Sequence, residues 1–134
     1  MSFIDSFKLS THAVILDESN KVLQLKQTYT DCRWGLPGGS IESKETIHES
    51  LIRECKEELG VEIEIEYLSG VYYHSEFNSY VFIFKCKGID NGIIKLSKEH
   101  SEYKYFDFEK LGEIQKIRIM DCMNYDGKVI SRKF

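Results

Sequence analysis

Three glutamates, Glu54, Glu57 and Glu58, stand three and four residues apart within the segment from Glu45 to Leu59. On a helix those spacings gather carboxylates on one edge. With Ile47 at bearing zero and a step of about 100° per residue, Glu54 falls near −20°, Glu58 near +20° and Glu57 near −80°. Ile47, Leu51, Ile52, Cys55 and Leu59 fill an apolar arc from roughly 0° to 140°, with His48 inside it. Glu58 therefore lies angularly between Ile47 and Leu51, whereas solvated charges belong opposite the apolar arc. Carboxylates crowded at a half-buried edge repel one another, and removing each from water is costly. A hard divalent cation with oxygen ligands relieves both penalties. Mg²⁺ or Mn²⁺ fits, since either keeps water positions for a phosphate substrate. The alternative is a helix whose charges are paired by Arg53 and Lys56.

The elements around this segment follow from pattern. Trp34-Gly35-Leu36-Pro37-Gly38-Gly39 is a glycine-rich turn that brings bare backbone close to the acidic edge. The spacing predicts a helix over Glu45–Leu59, capped by Ser43 and stopped by Gly60. Strands are expected at His12–Leu16 and Val22–Lys26, around the polar turn from Asp17 to Asn20. Glu62–Leu68 alternates, with Ile63, Ile65 and Tyr67 expected on one inward face. Val71–His74 and Tyr80–Phe84 are further strands, the second apolar on both faces and so central. Asp90-Asn91-Gly92 signals a tight turn. Tyr103–Phe108 reads as a strand, Glu109–Ile114 as a short helix and Ile117–Met123 as helical. Strands mixed with one strong helix imply an α/β layered domain around a mixed sheet.

Composition narrows the class. The chain has 134 residues and a net charge of −4, so one domain over residues 1–134 is expected. A pI near 5.6 disfavours a broad grip on nucleic acid. The acidity is concentrated: Glu42 to Glu66 contains nine glutamates against Lys44, Arg53 and Lys56. No apolar run approaches the roughly 20 residues that cross a bilayer, and no secretory leader is visible. Cys32, Cys55, Cys86 and Cys122 are widely spaced, which argues against a zinc site and for reduced thiols in a cytoplasmic protein.

Reading on from Gly39, five residues lead to Glu45 and seven more to Arg53-Glu54-Cys55-Lys56-Glu57-Glu58-Leu59-Gly60-Val61. This resembles the Nudix box, G-x5-E-x7-R-E-U-x-E-E-x-G-U, of the MutT-like hydrolases. All the fixed positions match, and Cys55 stands where a bulky aliphatic is usual. The resemblance implies an α/β/α sandwich around a mixed β-sheet. It implies a hydrolase in which water attacks a phosphorus of a nucleoside diphosphate linked to another moiety, with Mg²⁺ or Mn²⁺ required. Glu57 and Glu58 match the principal metal ligands, Glu54 a ligand or general base, and the carbonyl of Gly38 a backbone ligand. Arg53 is expected to orient the carboxylates and Glu45 to pair with it. A late-loop carboxylate is expected from Glu99, ahead of Glu102. Little chain beyond the core favours a nucleoside triphosphate or related small nucleotide, with no membrane and no stable nucleic-acid complex; dimers are frequent in the family. Trp34, Tyr29, Tyr72, Tyr73 and Phe77 are candidates to stack a base, Arg33 and Lys26 to meet phosphate, and His12, His48 and His74 are read as core or loop histidines. A non-hydrolysing nucleotide sensor is the alternative from another class. An isoprenoid diphosphate isomerase, using Cys86 or Cys32, is a weaker one.

Overall fold

The apolar arc of the long helix needs a sheet to bury it, and the topology provides one. The computed structural model describes residues 5–29, 31–88 and 94–134. Strands β1 (Lys8–Ile15), β2 (Val22–Gln27), β3 (Trp34–Gly35) and β4 (Gly38–Ser40) precede helix α1 (Ile47–Leu59). Then come β5 (Glu64–His74), β6 (Ser79–Lys87), β7 (His100–Phe106), helix α2 (Glu113–Met123) and β8 (Ile130–Lys133). The larger sheet has the order β4-β1-β6-β5-β8, and a smaller one the order β3-β2-β7. β1 runs parallel to β6 and β5 parallel to β8, while the other pairs are antiparallel. The sheet is therefore mixed, and β6, apolar on both faces, lies at its centre.

Alternation along β1 divides the core. Ala13 and Ile15 join Leu51, Cys55 and Leu59 of α1 in one cluster. Val14 turns the other way, to Ile119 and Cys122 of α2. One helix thus packs on each face, as an α/β/α sandwich requires.

Several boundaries differ from the sequence reading. Helix α1 is capped by Thr46, not Ser43: the Thr46 hydroxyl accepts from the Glu49 amide at 3.0 Å, and the Glu49 carboxylate accepts from the Thr46 amide at 2.9 Å. This reciprocal pair satisfies two donors at once, which a lone Ser43 does not. Gly60 ends the helix in the left-handed region, as expected. The expected strands Glu62–Leu68 and Val71–His74 are one strand, β5, with register shifts between Ile65 and Tyr67 and between Leu68 and Gly70. The first shift reverses the pleat. Ile63 and Ile65 stay on the α1 side, but Tyr67 turns to the α2 side, where its hydroxyl donates to the Cys122 carbonyl at 2.9 Å. The expected helix Glu109–Ile114 is a single 3₁₀ turn at Phe108–Lys110, after which α2 starts at Glu113 and absorbs Ile117–Met123. Strand β8 has no counterpart in the sequence reading. The Asp90-Asn91-Gly92 turn lies outside the described residues.

Candidate active site

The acidic edge of α1 faces β4, and the glycines of β4 make the approach possible. A Cβ on Gly39 would lie 2.7 Å from the Glu54 carboxyl carbon. Gly38 has φ +139°, and a Cβ there would lie 2.0 Å from the Thr11 carbonyl oxygen. Gly38 admits only glycine, because the clash is with backbone and φ is positive, whereas a side chain at Gly39 would push the Glu54 carboxylate aside. The Gly38 amide donates to Glu58 Oε1 at 2.7 Å, and His100 Nε2 lies 3.5 Å from Glu58 Oε2. It is thus the N–H of Gly38, on β4, that meets Glu58.

The buried face of α1 is rotated relative to the apolar arc. Ser50, Leu51, Cys55, Glu58 and Leu59 are buried, whereas Ile52 is 43% exposed. His48, expected in the arc, is exposed, with its ring edge on Phe84 at 4.8 Å. The reason is β4: with no side chains on Gly38 and Gly39, the helix leans onto that strand and takes its glutamates inward. Burial pushes the Glu58 carboxyl up to about 8 against the opposing Gly38 hydrogen bond, with the charges of Glu54, Glu99 and Glu57 adding to the rise. Glu54 is raised too, chiefly by burial, although Arg53 pulls the other way.

Arg53 organises the rest. Its guanidinium donates to Glu45 Oε1 at 3.0 Å, Glu54 Oε1 at 3.0 Å, Glu57 Oε2 at 3.3 Å and the Ser40 carbonyl at 3.2 Å. The Glu45 carboxylate, which also accepts from the Glu42 amide at 2.9 Å, is held down to about 2, first by Arg53. The expected Arg53–Glu45 pairing across the loop–helix junction is therefore present.

The trio does not sit as one cluster. Glu54 and Glu57 are drawn to Arg53, while Glu58 is anchored at Gly38. Among the described residues no three carboxylate, imidazole or thiol groups converge closely enough to hold a metal ion. Glu99 and Glu102 separate clearly. Glu99 raises Tyr29, Glu54 and Glu58 by its charge, so it looks onto the site; its backbone carbonyl accepts from Thr28 at 2.9 Å. Glu102 instead sits on β7 opposite Lys26 of β2.

A cavity of about 130 Å³ opens between the Glu58–Gly38 wall and α2, with Tyr29 and His100 on one side and Gln115 and Arg118 on the other. Of the stacking candidates, Tyr29 lines this cavity. Tyr72 is fully buried, with its hydroxyl donating to Asp121 at 2.8 Å. Trp34 packs edge-on to Phe106 at 5.0 Å, and Phe77 is exposed in the turn between β5 and β6. Arg33 pairs with Asp31 and is largely exposed, so nothing brings it to the site. His12 and His74 both lie near Arg118, and burial holds His12 down at about 4. The sequence reading missed three site residues. His100 was legible only as the neighbour of Glu99; Gln115 and Arg118 lie on a helix whose weak pattern hid its inner face.

Two helices on a mixed sheet, with an acidic helix edge closed over a glycine strand, define a phosphoric-anhydride hydrolase of the kind the box implies. The chain belongs to the NUDIX domain family, which matches residues 6–121. It is 28% identical over 123 residues to a MutT-like protein of Streptomyces ambofaciens, covering 89% of this chain and 79% of that one. It is 41% identical over 90 residues to an 8-oxo-dGDP phosphatase of Homo sapiens, covering 65% of this chain and only 27% of that protein. The crystal structure of an ADP-ribose pyrophosphatase from Streptococcus suis superposes with a TM-score of 0.77 at 19% identity, covering 96% of this chain and 100% of that one. The α/β/α Nudix fold is thereby established, and the protein is a Nudix hydrolase, a nucleotide pyrophosphohydrolase. No described helix is long and apolar enough to cross a membrane.

Proposed function

We propose that this Nudix hydrolase is Mg²⁺-dependent, with Mn²⁺ as a substitute, and cleaves a nucleoside triphosphate or related small nucleotide as a single domain over residues 1–134. Glu58 is the observation that carries this reading. It is 5% exposed, lines the cavity beneath α2, and among the described residues meets one backbone N–H and a histidine edge. A carboxylate so placed lacks the positive charge that its ionised form requires. The donor set fits a hard cation. Glu57 and Glu58, the Gly38 carbonyl and Glu99 are all oxygen donors, and they would hold the ion, which leaves Glu54 as the base. When bound, the cation would neutralise phosphate oxygens and acidify attacking water.

The chain's own residues have the remaining work. Arg53 holds Glu54 and Glu57 in one orientation, and Glu45 fixes Arg53. Water attacks phosphorus: the new P–O bond forms as the anhydride P–O bond breaks, and the electron pair leaves with the departing phosphate. Glu54, raised by burial and seated against Gly39, takes the water's proton. Leu25 and Leu36 in the cavity wall exclude bulk water. The same reading places the protein in the cytoplasm, acting on soluble nucleotides without a stable nucleic-acid complex.

The test is release of phosphate or pyrophosphate from canonical and oxidised triphosphates, ADP-ribose, nucleotide sugars and dinucleoside polyphosphates, with and without Mg²⁺. Turnover of a triphosphate that stops in EDTA and returns with Mg²⁺ is expected. Tight nucleotide binding with no turnover would instead make the chain a sensor.

A further inference from the structure

The wall of the cavity opposite Glu58 belongs to α2. Gln115 and Arg118 are three residues apart on that helix and so project from one face. Both line the cavity. Gln115 Oε1 and Arg118 Nε are buried, and neither has a hydrogen-bond partner among the described residues. Buried polar atoms without partners are uncommon in folded proteins. Here an unmet acceptor and an unmet donor, one helical turn apart, belong to residues lining a cavity that Glu58 also lines.

Their surroundings explain why the charge persists there. The Arg118 guanidinium lies over the Tyr72 ring, 5.7 Å from its centroid, and its Nη2 meets His74 Nε2 at 2.5 Å. Among the described residues no carboxylate pairs with Arg118, and burial lowers it to about 10, still well above neutral pH. His12 and His74 are both kept neutral by burial and by the guanidinium itself. The cation is thus packed and oriented, with its Nε–H left over.

We propose that Gln115 and Arg118 form the subsite that selects the substrate's base, reading a carbonyl beside a ring N–H, the lactam edge of guanine, uracil, thymine or an oxopurine. The inference rests on the pyrophosphohydrolase reading above and names its substrate class. Arg118 Nε–H donates to the carbonyl, and Gln115 Oε1 accepts the adjacent N–H. The pair matches a neutral edge better than a phosphate, because Gln115 Oε1 would face oxyanion oxygens. The cavity of about 130 Å³ is slightly smaller than the ~150 Å³ that accommodates a benzene ring, so it admits the lactam edge of the base and not the whole ring. With the phosphates held at the Glu58 wall, the ring has little freedom to turn. An amino base would then present an N–H₂ donor to a guanidinium that cannot accept.

The experiment compares GTP and UTP with ATP and CTP under Mg²⁺, alongside calorimetric binding of GMP and AMP in EDTA. The full chain is used, with the variants Arg118→Met, Arg118→Lys and Gln115→Leu. The wild type should favour the keto bases by at least ~10-fold in kcat/KM, a discrimination ordinary for a well-formed pair of base contacts. Each variant should lose most of that preference and bind GMP at least ~10-fold more weakly, with Mg²⁺ binding unchanged. Arg118→Lys keeps the charge but has no Nε–H, so it should behave as Arg118→Met does. Should the methionine variant fail to fold, the lysine and leucine variants carry the same comparison. An unaltered base profile in the folded variants overturns the proposal. So does a uniform loss on all triphosphates with ADP-ribose hydrolysis spared, which would put the guanidinium on a phosphate. If the wild type hydrolyses nothing, the function reading fails alone, and the GMP-to-AMP ratio in EDTA still decides the subsite: equal binding overturns it.

Discussion

Two arginine–carboxylate clusters stand at opposite ends of this molecule, and they are built on different arithmetic. At the α2–β8 end, Asp121 accepts from Arg132 Nε at 2.7 Å and Nη2 at 2.8 Å, and from the Tyr72 hydroxyl at 2.8 Å. One acid meets one base in a forked pair, with a phenol filling the remaining valence. At the α1–β4 end, Arg53 alone faces Glu42, Glu45, Glu54 and Glu57, and Glu58 stands beyond its reach. The first cluster is closed and depresses its acid: Asp121 lies below the usual aspartate range, chiefly through Arg132. The second is short of positive charge, and its innermost acid is pushed up. A balanced cluster stabilises a fold. An unbalanced one, held in place by glycines that admit it, is where the proposed cation would sit.

Substitutions should therefore part the two clusters by what they change. The largest effect is expected for Glu57→Gln or Glu58→Gln, each lowering kcat by about 10²-fold or more, comparable to losing a preorganised electrostatic group. Near wild-type turnover in either variant would remove that residue from the site. Arg53→Ala should come next, lowering kcat by about 10-fold with KM nearly constant, if its proposed role is to orient the carboxylates it contacts. A change confined to KM would contradict the orienting role. At the balanced end the outcome inverts. Asp121→Ala leaves the buried Tyr72 hydroxyl without its acceptor, so stability should fall by about 2 kcal/mol, read from denaturant unfolding, while Mg²⁺ affinity stays put. Altered Mg²⁺ affinity would mean that the two clusters are coupled.

The two ends were also unequally legible in the sequence. The α1 end was readable because its chemistry is local: the glycine turn, the box spacing and the Gly60 stop all lie within one stretch, and the fold class followed from the strand pattern around it. What the spacing missed there was rotational. Apolar residues alone placed Ile52 and His48 inside, but a strand without side chains drew Ser50 and Glu58 inward instead. The α2 end was nearly opaque. Helix α2 mixes Ile114, Met120 and Met123, all exposed, with inward Gln115 and Arg118, so its periodicity marked no face. Strand β8 is four residues long and pairs only with β5, a partner about sixty positions upstream that no local signal identifies. The Tyr67 reversal depended on a bulge, which period-two alternation does not encode.

A further contrast separates the clusters by pH in metal-free buffer. Glu58 titrates near 4.5 when unfolded and near 8 when folded. Between those values the folded protein binds the extra proton, so stability falls as pH rises through that window. Asp121 works in the opposite sense. Its folded pKa is depressed, so its stabilisation is present above the ordinary aspartate range and is lost as pH falls. The wild type should therefore lose stability on both flanks. Glu58→Gln should abolish only the alkaline loss, a gain of up to about 5 kcal/mol by pH 8 by linkage, and saturating Mg²⁺ should abolish it in the wild type by binding the ionised carboxylate. Thermal melting from pH 4 to pH 9 reads both flanks at once. An alkaline slope unchanged in Glu58→Gln would show that Glu58 carries no unmet charge, and the contrast between the two clusters would then lose its physical basis.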